Sequence, residues 1–150
     1  MPLLKYTTQI SVDRTVSEIV ACLQAAGAMQ ILTEYDEQTK QATAIGFRIK
    51  TEQGILPFRL PTDVKRVRAI LTRQVTLGQA PRSALALGQP ERVAWRIIKE
   101  WVEAQLALIQ IGLVTIDEVM LPYMLTGNKT VYESFKDGNL ENLLPAGGRP

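Results

Sequence analysis

The sequence contains no histidine and only one cysteine, Cys22. Without histidine, the chain lacks the usual acid/base group at neutral pH, the base of Ser–His and Cys–His pairs, and the commonest metal ligand. A single cysteine cannot form an internal disulfide, which is typical of a protein in a reducing compartment. We therefore predict no catalytic residue, no metal site and no cofactor, and we interpret Cys22 as a small apolar residue of a helix.

Long apolar segments are also missing. The longest apolar run, residues 106–116, has eleven residues and includes Gln110, whereas a bilayer-spanning helix needs about 20. The N-terminus has no basic segment followed by a long apolar run, the pattern typical of a signal peptide. These absences predict a cytoplasmic protein with no membrane partner.

The 150 residues suit one domain, predicted over 1–138, with a flexible tail over 139–150.

Positive charge is concentrated in the middle of the chain. Residues 48–99 contain eleven Lys/Arg and three Asp/Glu, a net charge of +8, whereas the remaining residues carry a net charge of −6. Segregated charge creates a directional field. Such a field attracts either a polyanion or the acidic part of another subunit.

Hydrophobic periodicity predicts an α+β fold with a β-α-β-β-β-α core, an antiparallel sheet, and then a long helix and short C-terminal helices. Alternation of apolar and polar residues is typical of strands with one buried face. It predicts four strands, over residues 5–12, 28–36, 44–50 and 56–60.

Helix boundaries follow from capping residues and from apolar stripes. A capping box at Thr15–Glu18 predicts a first helix over 16–26, and Pro90 is expected to begin the long third helix. Capping boxes at Thr115 and Thr130 predict two short helices near the C-terminus. The second helix should cover the sheet together with the first, with a buried stripe of Val64, Val67, Ile70, Leu71 and Val75.

The segment "GFRIKTEQGILPFRLP" predicts a β-hairpin with a defined register. Folding it about "TEQG" gives the apolar pairs Ile49–Leu56, Phe47–Phe58 and Ile45–Leu60. The same register brings Arg48, Lys50 and Arg59 together on the opposite face, beside the small residues Ala42, Ala44 and Gly46.

The basic residues are the strongest indication of function. Phosphate binding needs several Lys/Arg on one surface with few acids nearby, and the predicted contacts are Arg48, Lys50, Arg59, Lys65, Arg66 and Arg73. Further candidates at the start of the third helix are Arg92, Trp95 and Arg96. The sequence leaves open whether the sheet face and the second helix adjoin. It also leaves open two alternatives, an ordinary solvated surface and a surface for an acidic protein partner.

The two tryptophans of the third helix receive different predictions. Trp101 lies in the apolar stripe and is assigned to the core. Trp95 lies about 120° away around the helix, on the predicted rim, with Arg92 and Lys99 as neighbours one turn away. Its expected role is either stacking on a base in a cationic groove or packing at a boundary contact.

Two resemblances extend this interpretation. The segments "ERVAWRIIKEWVEAQLALIQ" and "VMLPYML", together with the hairpin, are similar to small proteins encoded by bacteriophages, prophages and related mobile elements, over roughly residues 5–135. That resemblance implies an intracellular setting and work near DNA or RNA, but no functional residues. The predicted order of helix, three strands and helix resembles the double-stranded-RNA-binding-like fold, although the basic C-terminal helix motif of that family is not matched here.

The leading hypothesis is a non-enzymatic nucleic-acid-binding accessory protein of a phage or mobile element. The alternative, from a different function class, is a homo-oligomeric interaction module. Its interface would use the apolar side of the third helix and residues 106–116. An enzyme is the third hypothesis, and the absence of histidine would make it dependent on carboxylates.

Overall fold

The computed structural model describes residues 3–138, and the predicted α+β class is confirmed. The helices are α1 (Val12–Ala25), α2 (Val64–Thr76), α3 (Gln89–Gln110), α4 (Ile116–Met120) and α5 (Val131–Lys136). The strands are β1 (Gln30–Tyr35), β2 (Ala42–Thr51), β3 (Gly54–Arg59), β4 (Leu125–Thr126) and β5 (Lys129–Thr130). Short 3-10 helices span Arg82–Leu85 and Leu121–Tyr123. The tail predicted over 139–150 lies outside the described residues.

The central sheet is antiparallel with the strand order β1-β2-β3. The predicted hairpin register is confirmed, because Ile49 pairs with Leu56 and Phe47 pairs with Phe58. The Leu60 N–H extends this register by donating to the Ile45 carbonyl at 2.9 Å.

Most of the hydrophobic core lies on the inner face of this sheet. Ile45, Phe47, Ile49 and Phe58 pack there against α1 and α3. Helix α1 contributes its apolar stripe, Val12, Val16, Ile19 and Leu23, and α3 contributes Trp95, Ile98 and Val102. Each of these side chains is nearly or fully buried, and burying one side chain of this size stabilises the fold by about 1.5–3 kcal/mol.

Helix α2 packs on α3 rather than on the sheet, which corrects the prediction that it covers the sheet. Leu71 of α2 is buried in a second cluster with Val93 and half-buried Ile97 of α3. Val93 and Ile97 each lie two residues from Trp95, about 200° around the helix. Helix α3 therefore lies between the sheet core on one side and α2 on the other.

The predicted first strand, over residues 5–12, is wrong. Residues 4–7 form a turn, and α1 begins at Val12. Ser11 is the N-cap, with its hydroxyl accepting the Arg14 N–H at 3.1 Å. The helix therefore begins one turn earlier than the capping box at Thr15 predicted.

The segment before α1 is held by side-chain hydrogen bonds in place of a sheet ladder. The Gln89 side-chain amide donates to the carbonyl oxygens of Tyr6 at 3.0 Å and Thr8 at 2.9 Å. Backbone carbonyls near the protein interior need hydrogen-bond partners. Because Gln89 supplies them, this alternating segment needs no neighbouring strand.

The C-terminal region closes the fold beside β3. Thr115 and Thr130 both form the predicted capping boxes, with Glu118 and Glu133 respectively. Gly112, with φ of 78°, follows the end of α3, in a conformation that favours glycine. A single antiparallel bridge joins Met124 to Phe58, so this region reaches the free side of β3. None of the helices within residues 3–138 is long and apolar enough to cross a bilayer.

Candidate nucleic-acid interface

The face of the sheet that points away from α1 and α3 carries three of the predicted basic residues, Arg48, Lys50 and Arg59. We call it the outer sheet face. Strand alternation and the register define it by Gln30, Leu32 and Glu34 on β1, Gly46, Arg48 and Lys50 on β2, and Ile55, Pro57 and Arg59 on β3. The prediction that Arg48, Lys50 and Arg59 share a face opposite the apolar pairs is therefore confirmed. Ala44 belongs to this face, but a bulge places Ala42 on the inner face.

A shallow groove of about 570 Å³ crosses the outer sheet face. Its floor is Gly46, where the missing side chain leaves space, and its walls include Leu32, Arg48, Pro57 and Leu125. A Cβ at Gly46 would lie 3.3 Å from the Phe58 carbonyl oxygen. Leu125 reaches the groove because β4 lies beside β3. The groove is thus largely apolar, and Arg48 is the one cation among the described residues that line it.

Arg48 and Lys50 are exposed, and neither forms an ion pair with a carboxylate of residues 3–138. Two residues of one strand are about 7 Å apart, and Arg59 is a diagonal neighbour of Arg48 at a similar separation. Arg59 faces Glu34 across the sheet at 3.6 Å, a long and exposed contact of little energetic consequence. The charge of Arg59 also helps to lower the pKa of Glu133 on α5, after the hydrogen bonds from Thr130, so Arg59 lies near two carboxylates. The outer sheet face therefore presents a row of three cations with two acids near its Arg59 end.

The basic residues of α2 lie elsewhere. Lys65, Arg66 and Arg73 are exposed on the solvent side of α2, as predicted. Arg66 pairs with Asp63 at 3.2 Å. Because α2 packs on α3 and not on the sheet, these three cations are not part of the outer sheet face. The six predicted phosphate contacts thus form two groups of three.

The candidates on α3 are not part of either surface. The stacking role predicted for Trp95 is wrong, because the indole is 0% exposed in the main core. The Arg96 side chain is 13% exposed and donates to Glu18 at 2.6 Å, so its guanidinium is held between α1 and α3. Arg92 is half-buried and donates twice to the Gln89 side-chain oxygen, at 2.9 and 2.6 Å.

Trp101, predicted to be core, is only half-buried. Its ring meets Tyr123 edge to face at 5.5 Å, on the side of the main cluster. The burial of the two tryptophans is thus the reverse of the prediction, because α3 is covered on two sides and its stripe does not mark a single buried face.

Cys22 lies in a cleft between the C-terminal parts of α1 and α3, with Leu106 and Glu103 among its neighbours. Burial, followed by the charge of Glu103, raises the pKa of its thiol. A raised pKa keeps the thiol protonated and unreactive at neutral pH. Within the described part of the chain, no group of three or more acidic or cysteine side chains is placed to hold a metal ion.

Sequence reasoning missed the apolar part of the groove. Leu32 shares the alternation of Gln30 and Glu34, which could have placed it on the outer sheet face. Leu125 gives no such signal, because its position depends on the bridge from Met124 to Phe58.

Comparison with protein-family models, curated proteins and solved structures finds no match to this chain.

Proposed function

We propose that this protein binds single-stranded nucleic acid through the outer sheet face, as a non-enzymatic accessory protein in the cytoplasm. The observation that carries this proposal is the row of Arg48, Lys50 and Arg59 beside an open groove, with Arg48 and Lys50 free of carboxylates in the described chain. The resemblance to proteins of phages and mobile elements fits work of this kind on DNA or RNA, and we propose that origin as well.

A single strand suits the groove better than a duplex. Duplex readers usually insert a helix or a ribbon into a nucleic-acid groove, whereas an open sheet face receives unstacked bases from a flexible strand. Here the bases would lie against Leu32, Pro57 and Leu125, and the phosphates would lie along the cations. The outer sheet face has no aromatic side chain, so base contacts should be weaker than the stacking found in typical single-strand binders.

Phosphate contacts position a strand without reading its sequence. We therefore expect weak binding with little sequence preference and a strong dependence on salt. Each phosphate neutralised on a single strand contributes about −0.7 to the slope of log K against log salt concentration. Three cations predict a slope of about −2.

The experiment is a fluorescence-anisotropy titration of labelled single-stranded and duplex oligonucleotides over a series of salt concentrations. Wild type should bind the single strand more tightly than the duplex, and Arg48→Gln should weaken binding and reduce the slope by about 0.7. Lys136→Gln, an exposed lysine on α5, is the control and should change neither quantity. Absence of binding at low salt, or binding that ignores salt, would reject nucleic-acid binding.

Arg73→Gln distinguishes the two basic surfaces. Arg73 is exposed on α2 and, like Arg48, forms no ion pair with the described carboxylates. If Arg73→Gln reduces the slope and Arg48→Gln does not, the nucleic acid binds α2 and the assignment to the outer sheet face is wrong.

The second candidate function is a self-associating interaction module that binds no nucleic acid. It is favoured by large apolar side chains exposed on or beside the sheet, including Met29, Leu32 and Ile55. Ile111 and Leu113, in the run 106–116 that the sequence predicted as part of an interface, are exposed as well. The apolar side of α3, the other part of that predicted interface, is instead largely buried in the protein's own core. Monodisperse monomer in light scattering at high concentration would exclude this candidate.

A further inference from the structure

Strand β1 forms an open edge of the sheet. Its inner neighbour is β2, and no strand within residues 3–138 pairs with its other side. The opposite edge differs, because β3 is bridged there by Met124. An unpaired edge strand presents a row of N–H and C=O groups to which another strand can add.

The hydrogen-bond pattern identifies the groups that face this edge. The Leu60 N–H donates to the Ile45 carbonyl, so the backbone of Ile45 faces β3. The backbone of the next residue, Gly46, therefore faces β1, where its partner is Leu32. Because successive residues of a strand direct their N–H and C=O groups to opposite sides, Ile31 and Thr33 direct theirs to the open edge.

Within residues 3–138 this edge carries little of the usual protection, because its one charged residue, Glu34, and its bulge both lie at the C-terminal end of the strand. Natural edge strands are often blocked by proline, by lysine or by a covering segment, and "QILTEY" contains neither proline nor lysine. A cleft of about 280 Å³ adjoins the strand between Ile31 and Thr33 of β1 and Val20 and Gln24 of α1. The cleft leaves the edge accessible from the helical side as well.

We propose that a second copy of this chain adds to β1 as an antiparallel strand, about a two-fold axis at Leu32, to give one six-stranded sheet. In this register Ile31 of each copy faces Thr33 of the other. Their outward backbone groups form four N–H···O bonds, two for each Ile31–Thr33 pair. An isologous contact of this kind closes as a dimer and leaves no further β1 edge exposed.

The side chains of β1 are complementary to themselves in this register. Leu32, which is 65% exposed, meets Leu32 of the second copy on the outer sheet face. Gln30 lies opposite Glu34 of the second copy, so its amide can donate to that carboxylate, twice per dimer. Moving the axis to Thr33 would instead place Leu32 opposite Glu34 and would bring the bulge at Glu34 and Tyr35 into the ladder.

Helix α1 leaves room for this arrangement. The two-fold axis brings both α1 helices to the same side of the sheet, next to the new strand pair. The side of α1 that borders the cleft carries uncharged or small side chains: Ser17, Val20, Ala21 and Gln24. The charged residue Glu18 is directed to α3 instead, where it pairs with Arg96. No like charges therefore meet across the axis along this part of α1.

The dimer does not depend on nucleic-acid binding, and it supplies an interface for the second candidate function. It would also join two outer sheet faces into one surface. The two proposals fail separately, because the oligomeric state is measured without nucleic acid. A monomeric protein that still binds a single strand would overturn only the dimer.

The first test is sedimentation equilibrium on the full chain over a concentration series reaching about 1 mM, where even a weak dimer becomes half-formed. Wild type should dimerise, and Leu32→Lys should be monomeric because two introduced ammonium groups would face each other. Ile55→Lys is the matched control: Ile55 is 45% exposed on the same face but lies on β3, so this variant should dimerise like wild type. An equimolar mixture of Leu32→Lys and Leu32→Glu should recover the dimer.

A cysteine cross-link tests the register even if a charged variant folds poorly. In a Cys22→Ala background, Leu32→Cys should form an intermolecular disulfide, because residues opposite each other across a non-hydrogen-bonded pair lie at a suitable separation. Glu34→Cys should not form this disulfide, because position 34 of one copy would be offset from position 34 of the other by four residues, about 13 Å. Wild type that stays monomeric up to about 1 mM, or cross-linking at position 34 and not at position 32, overturns the proposal.

Discussion

Oε2 of Glu18 accepts a hydrogen bond from the Arg96 guanidinium at 2.6 Å and lies 3.7 Å from the Lys99 ammonium. This contact joins the acidic N-terminal part of the chain to the basic middle part. Lys99 also pairs with Glu103, and Arg68 with Glu91. Several cations of the basic segment are therefore neutralised inside the molecule, and its surface is less basic than the sequence count suggests.

We predict that Glu18→Gln lowers the free energy of unfolding by about 1–2 kcal/mol at neutral pH, because it weakens a charged hydrogen bond between a half-buried carboxylate and the more deeply buried Arg96 guanidinium. The hydrogen bond from Arg96, and then the charges of Arg96 and Lys99, hold the pKa of Glu18 below its ordinary value of 4.5, although burial opposes this. The folded pKa is thus lower than the unfolded one. The stabilisation is therefore complete above about pH 4.5 and is lost as the pH falls through the lowered value.

Urea denaturation of wild type and Glu18→Gln at neutral and acidic pH measures this difference. The control is Glu100→Gln, which removes the exposed pair between Glu100 and Lys5 and should cost less than about 0.5 kcal/mol. A stability difference for Glu18→Gln that is constant across the acid range would contradict the prediction.

The burial of Trp95 predicts distinct fluorescence from the two tryptophans. In Trp101→Phe, emission comes from Trp95 alone and should be blue-shifted and poorly quenched by iodide. In Trp95→Phe, emission comes from half-buried Trp101 and should be quenched more strongly. Trp95→Phe should also lower the stability by about 1–3 kcal/mol, because it leaves unfilled volume in the core. Stronger quenching of Trp95 than of Trp101 would show that Trp95 is accessible after all.

Leu71 and Ile70 give a matched pair on α2. Leu71 is fully buried against Val93, whereas Ile70 is 44% exposed although the sequence predicted it in the buried stripe. Leu71→Ala should cost about 2–5 kcal/mol in unfolding free energy, and Ile70→Ala should cost less than about 1 kcal/mol. Thermal or chemical denaturation compares them directly. Equal losses of unfolding free energy in the two variants would mean that α2 packs against α3 with a different side.

Filling the groove tests its role in binding. Gly46→Leu places a side chain on the groove floor and should weaken single-strand binding at least roughly fivefold, the effect of losing one base contact of about 1 kcal/mol. Thr43→Leu, at an exposed position of the same strand, should leave the affinity unchanged. The comparison requires matched circular dichroism spectra, because a Cβ at position 46 is tight against the Phe58 carbonyl. Unchanged affinity in Gly46→Leu would place the bases outside the groove.

The hairpin could be predicted in full because its determinants are local. Alternation places Phe47 and Ile49 on one face, and the short turn fixes the residues that oppose them, including Phe58. The same local logic placed Arg48, Lys50 and Arg59 on one face. The capping boxes at Thr115 and Thr130 were equally local and are also confirmed.

The wrong predictions concern features that depend on packing between segments distant in the sequence. Residues 5–12 alternate like a strand, but Gln89 provides their carbonyls with partners. Trp95 lies outside the single apolar stripe that the sequence predicts for α3, but α2 covers this helix from a second side. The position of α2 depends on the contact between Leu71 and Val93, which no short sequence pattern reveals. Because α2 is placed there, the basic residues separate into two groups.

The placement of α2 on the far side of α3 has a consequence for slow motions of the molecule. Among residues 3–138 the second cluster has four buried side chains, Leu71, Ala80, Ala84 and Val93, with partly buried side chains packed around them. The main core, by contrast, holds the sheet, α1 and the other side of α3. A segment held by so small a cluster can detach while the remainder stays folded. Amide protons of α2 should consequently exchange with deuterated solvent through this partial opening, well before those of β2, whose exchange requires the whole domain to unfold.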